Sequence, residues 1–85
     1  MANRTIIGVR IDARQENVPA VQAVLTEYGC NIRTRLGMHE VAGDYCAPGG
    51  LVLLDMFGAQ AEIDACYTKL SAIPGVGVQR MDFVL

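Results

Sequence analysis

The feature that most constrains this chain is a junction that occurs twice. Val18 to Tyr28 carries apolar residues at helical spacing, Gly29 interrupts it, and Cys30-Asn31-Ile32 continues at once as a strand. Leu70-Ser71-Ala72-Ile73-Pro74-Gly75-Val76 makes the same move, with a helix end, a Pro-Gly stop and a new strand. Apolar strand-like runs precede both helices. Two strand–helix–strand halves in 85 residues leave room for one domain, residues 1–85, of mixed α and β structure.

Each element can be placed from its pattern. Thr5 to Asp12 alternates, with Thr5, Ile7, Val9 and Ile11 on one face and Ile6, Gly8, Arg10 and Asp12 on the other. A helix is expected from Asn17, a good N-cap, with Pro19 tolerated in its first turn. Val18, Val21, Val24, Leu25 and Tyr28 form its apolar stripe, and Gly29 is expected to stop it. The second strand runs from Cys30 to about His39. Cys30, Ile32, Leu36 and Met38 share one face of it, and Asn31, Arg33, Arg35, Gly37 and His39 the other. Glu40 to Gly50 reads as a long loop. Leu51 to Phe57 is apolar on both faces apart from Asp55, as a central strand is. A second helix covers Ala59 to Ala72, with Ile63, Cys66, Tyr67, Leu70 and Ile73 on one stripe, and a last strand runs from Val76 to Val84.

The order βαββαβ with right-handed crossovers predicts a ferredoxin-like α+β fold. Its four-stranded antiparallel sheet has strand order 4-1-3-2, and both helices lie on one face. The first and third strands, the most apolar, take the centre. The other face stays open, and Ile6, Leu51, Leu53 and Phe57 are expected on it as an interface between copies. The composition agrees, since 52% hydrophobic against 19% charged residues is more apolar than a small monomer needs, and a homodimer or higher oligomer follows.

Seven Lys and Arg against nine Asp and Glu, a net charge of −2, provide no basic face for nucleic acid. No apolar run approaches the roughly 20 residues of a membrane span. Met1 to Thr5 carries no stretch apolar enough for a secretion signal, so a cytoplasmic location is expected. Cys30, Cys46 and Cys66 are an odd count without paired spacing, which fits free thiols. No cofactor is expected.

Leu25-Thr26-Glu27-Tyr28-Gly29-Cys30-Asn31-Ile32 resembles the matching junction of ACT domains, small ferredoxin-like regulatory modules that often bind amino acids. ACT domains place a glycine in the turn before their first helix. Asp12 to Pro19 holds none, which argues against amino-acid binding in that manner. Over nearly its full length the chain is similar to a family of stand-alone ACT-like domains, the iron-only hydrogenase system regulators. The similarity is carried by Ile32-Arg33-Thr34-Arg35-Leu36-Gly37-Met38, Gly50-Leu51-Val52-Leu53-Leu54 and Leu70-Ser71-Ala72-Ile73-Pro74-Gly75-Val76. It implies a non-enzymatic regulatory or sensor domain, acting as an oligomer, that binds a small ligand or a protein partner. The regulatory domain of the nickel-responsive repressor shares this fold and binds metal through His and Cys at its strands.

That parallel directs attention to His39 and Cys46, which lie with Glu40 and Asp44 around the long loop. His and Cys suit soft and borderline metals, so these two would carry a metal-sensing function; the alternative is a solvated hairpin loop. Arg10, Arg33, Arg35 and Asp55 are expected together on the open face. Arginine forks suit a carboxylate or phosphate in a pocket between subunits. The alternative is a set of ion pairs that position a dimer, with Asp55 answering Arg10 or Arg33. Cys30 and Cys66 are expected in the core, and Tyr28 and Tyr67 as packing residues. No Ser/His/Asp or Cys/His arrangement has support, and Gly75-Val76-Gly77 lacks the remainder of a phosphate loop, so no enzyme is expected. A purely structural interaction module is the remaining alternative.

Overall fold

The computed structural model describes residues 3–11, 17–42 and 45–84, with side chains placed throughout except at 3, 17, 39–42 and 45–49. The chain runs β1 (Asn3–Ile11), α1 (Asn17–Glu27), a single 3-10 turn (Gly29–Asn31), β2 (Ile32–Ala42), β3 (Tyr45–Met56), α2 (Gln60–Ser71) and β4 (Val76–Val84). The sheet is antiparallel in the order β2-β3-β1-β4. This is the expected 4-1-3-2 order read from the other edge. β1 pairs with β4 over its whole length, from Asn3 opposite Val84 to Ile11 opposite Val76.

One face of the sheet meets both helices. Ile7 and Val9 of β1 and Leu54 and Met56 of β3 pack with Val21, Leu25 and Tyr28 of the first helical segment and with Ile63, Cys66 and Leu70 of α2. Burying an aliphatic side chain of this size contributes about 1.5–3 kcal/mol, so these few residues hold most of the fold. Thr5 is buried among them, and its hydroxyl donates to Asp82 at 2.8 Å. Polar groups rim this core. Arg80 of β4 donates to Asp82 at 2.9 Å and to Asp64 of α2 at 3.0 Å, and its guanidinium lies over the Tyr67 ring at 5.1 Å. Lys69 of α2 donates to Glu27 of α1 at 2.6 Å and sits 5.3 Å from the Tyr28 ring.

The exit of α1 and the entry to α2 are clasped together. The Phe57 N–H donates to the Asn31 carbonyl at 2.7 Å, and the Asn31 side-chain amide donates to the Phe57 carbonyl at 3.1 Å. Gly58 follows with φ 106°, in the region that L side chains avoid, and a Cβ there would lie 2.7 Å from Asn31 Nδ2.

Three sequence expectations change. Gly29 does not stop α1 in a left-handed conformation, since the glycines with positive φ among the described residues are Gly58 and Gly75. It opens the 3-10 turn instead, closed by Asn31 N–H donating to the Tyr28 carbonyl at 2.8 Å. The turn carries Cys30 away from the interior. Cys30 is exposed rather than a core residue, while Cys66 is buried as expected, and burial pushes its thiol pKa up. Finally, β3 begins at Tyr45 rather than Leu51, so most of the expected loop is a two-stranded ribbon, with Val41 opposite Cys46 and Ala42 opposite Tyr45. Among the described residues, pairing with β1 reaches as far as Gly50.

Candidate functional site

The helix-free face of the sheet is set by the register. Because Ile7, Val9, Leu54 and Met56 point to the helices, their neighbours Ile6, Gly8, Arg10, Leu51, Leu53 and Asp55 point away. On β4, Gly77, Gln79 and Met81 lie opposite Arg10, Gly8 and Ile6, and Phe83 lies opposite Arg4. On β2, Leu36 and Met38 lie opposite Leu53 and Leu51. The face is a tile of apolar side chains with no cover among the described residues. Leu36 is 54% exposed, Met81 54% and Phe83 50%, which is far above what a core-facing strand residue shows.

β2 departs from simple alternation. Ile32 stands opposite Met56 and Thr34 opposite Asp55, so two steps on β2 match one on β3. This bulge reverses the phase of the residues from Thr34 to Met38. Arg35 therefore does not share a side with Arg33. It pairs with the buried Leu54 and reaches the helix side, where it donates to the Gln22 side chain of α1 at 3.3 Å. Leu36 and Met38 take the open face in its place. Arg33 stays near the open face, with its guanidinium 5.1 Å from the centroid of the exposed Phe57 ring.

Asp55 is answered neither by Arg10 nor chiefly by Arg33. Arg4, one residue before the predicted start of β1, holds it with a two-pronged fork at 2.9 and 2.7 Å. The Arg4 hydrogen bonds keep the Asp55 carboxyl below its usual range, and the charges of Arg4 and Arg33 act in the same direction. The Asp55 side chain is only 14% exposed, so the pair is a fixed polar corner of an apolar tile.

Beside that corner the tile is hollow. A groove of about 530 Å³ runs between Ile6, Leu51, Leu53 and Met81, with Gly8 and Gly77 in its floor and Arg10 and Gln79 on its walls. Of the four residues expected to form an anion pocket, Arg10 lines this groove, Arg33 and Asp55 lie at the far end of the face, and Arg35 is on the opposite side. Alternation along β4 could have pointed to Gln79 and Met81. Arg4 escapes the alternation pattern because β1 starts at Asn3, two residues before Thr5.

His39 and Cys46 sit on the ribbon, opposite Gly50 and Val41 respectively. Their side chains, that of Glu40, and the whole of Asp44 lie outside the described residues. Among the described residues no group of three His, Cys, Asp or Glu side chains is placed to hold a metal ion. No helix among them is long and apolar enough to cross a membrane.

No family model and no curated protein matches the chain. Solved structures do match. An uncharacterised protein of Thermotoga maritima superposes with a TM-score of 0.81 at 21% identity, over 95% of this chain and 98% of that one. The ACT domain of the GTP pyrophosphokinase of Chlorobium tepidum gives 0.64 at 19% identity, over 92% and 96%. A nitrogen regulatory PII-like protein of Thiomonas intermedia, bound to ADP, AMP and bicarbonate, gives 0.52 at 9% identity, over 99% and 96%. At these identities the likeness establishes the fold, which is the ACT-like form of the ferredoxin-like α+β sheet.

Proposed function

We propose that this chain is a single, non-enzymatic regulatory or sensor domain of the ACT-like kind, which pairs through its open sheet face and takes a small ligand there. The observation that carries the reading is the uncovered apolar tile formed by Ile6, Leu36, Leu51, Leu53, Met81 and Phe83. A sheet of four strands and nine-residue β1 length, at about 4.8 Å per strand and 3.3 Å per residue, presents roughly 600 Å². Two such tiles face to face remove about 1,200 Å² from water, the low end of a stable interface. Phe57, just past the end of β3, extends the same contact.

The ACT domain and the PII-like protein with its bound nucleotides support a regulatory role with a small-molecule ligand. Within that role, the resemblance of the sequence to the iron-only hydrogenase system regulators supports a part in the control of that system. The metal-sensing alternative rests on His39 and Cys46. It is tested by nickel or zinc in a thermal-shift assay, with His39→Ala as the control.

Sedimentation velocity tests the assembly. The wild-type chain is expected to run as a dimer or larger at micromolar concentration, and Leu53→Glu, which puts a charge in the centre of the tile, as a folded monomer. A monomeric wild type would defeat the reading.

A further inference from the structure

Gly8 and Gly77 lie in strands without needing to be glycine. Neither has a positive φ. A Cβ on Gly8 would meet Leu53 Cδ2 at 3.6 Å and the Gln79 carbonyl at 3.9 Å, and one on Gly77 would meet Arg10 Cβ at 3.9 Å. Both are ordinary van der Waals contacts, so alanine fits at either place. Glycine inside a strand weakens it through lost chain entropy and lost packing. Here the fold returns nothing for that weakening, and what the pair leaves is space. Gly8 faces Gln79 across β1 and β4, and Gly77 faces Arg10 two rungs along. The two missing side chains are thus diagonal neighbours on one face, and together they open the floor of the groove.

The groove is chemically uneven. Its body is apolar, and its volume of about 530 Å³ falls in the range of small-molecule sites. The Arg10 guanidinium and the Gln79 amide bring polar groups to it. A guanidinium has five N–H donors, so Arg10 can hold one neighbour and still offer a fork to another acceptor. An apolar body joined to a carboxylate matches this layout, because the chain of the acid would lie over Gly8 between Leu53 and Met81 while its charge meets Arg10.

We infer that the Gly8–Gly77 hollow is a binding site for a small apolar carboxylic acid, with Arg10 as its anion anchor and Gln79 as a second donor. The inference rests on the proposed ligand role of the open face and names the chemical class of that ligand. It does not require the second copy.

The test titrates the full chain with octanoate and phenylacetate, and with octanamide as the uncharged control, by calorimetry and by amide chemical shifts. Octanoate is expected to bind about tenfold or more tightly than octanamide, as a charged hydrogen-bond partner implies, with the largest shifts at Gly8, Gly77 and Gln79. Arg10→Gln should remove that preference and leave octanamide binding unchanged. Gly8→Val should abolish binding of both, and Gly8→Ala, which fits the backbone as it stands, should weaken it. Absence of shifts with either acid at millimolar concentration overturns the site, and so does octanoate binding that survives Gly8→Val. If Gly8→Val changes the sedimentation state while acids never bind, the hollow receives a side chain of a second copy and the inference fails. A monomeric wild type that binds octanoate would instead defeat the assembly and keep the site.

Discussion

Asn31 shows how much one side chain can settle in a domain this small. Its backbone carbonyl accepts from Phe57 and its amide donates to Phe57, so the exit of α1 and the entry to α2 are fixed to each other. Gly58 is the residue that permits this. A side chain at φ 106° is strained, and its Cβ would meet Asn31 Nδ2 at 2.7 Å. Gly58→Ala is therefore expected to cost about 1–3 kcal/mol, read as a lower midpoint in urea denaturation with an unchanged slope. A cost near zero would mean that the clasp can move aside. Gly50 is constrained by approach rather than by torsion, since a Cβ there would stand 2.7 Å from the Met38 carbonyl of the neighbouring strand.

Among the elements, β2 separates what the sequence reveals from what it conceals. The helices, the strand order and the facing of β1 and β3 follow from periodicity. The phase of β2 does not, because a single extra residue between Ile32 and Thr34 moves Arg35 to one side and Leu36 to the other, and no residue type there announces it. The consequence can be measured. Arg35→Ala, which loses the hydrogen bond to Gln22 on the helix side, is expected to leave sedimentation unchanged, whereas Leu36→Glu should favour monomer. The opposite result would place β2 in the simple alternating phase. The ribbon between β2 and β3 has no apolar signature for a related reason, as pairing between two strands needs backbone groups and not an apolar pattern. Packing of α2 on β4 carries a pH dependence of its own. The Arg80 and Thr5 hydrogen bonds hold Asp82 below its usual range, and Gln60 and Arg80 do the same for Asp64. Groups with lowered pKa contribute stability above the ordinary carboxyl value of about 4 and lose it as the pH falls through their folded values. The melting temperature should hold from neutral pH to about 5 and drop below about 4, with a shallower drop in Asp82→Asn. Equal acid slopes in the two proteins would remove Asp82 from the account.

For the molecule as a whole, the division into a helix-covered and an uncovered face was legible, because β3 is apolar on both sides apart from Asp55 while the helices can cover only one. The Arg4–Asp55 corner and the hollow beside it were not, since both depend on which residues of β1, β3 and β4 fall on the same rung. The pairing of β1 with β4 also bears on how the chain is made. Thr5 and Asp82, joined in the sheet, stand 77 residues apart. A ribosome adding about 5–20 residues per second needs on the order of 4–15 s to cover that distance. Throughout that interval β1, later a central strand, has one edge bare and Ile6, Ile7 and Val9 short of neighbours. A bare edge with apolar flanks is a template for the wrong partner. Nascent chains that have not yet released Val76 to Val84 from the exit tunnel are thus the form in which this protein most needs a chaperone.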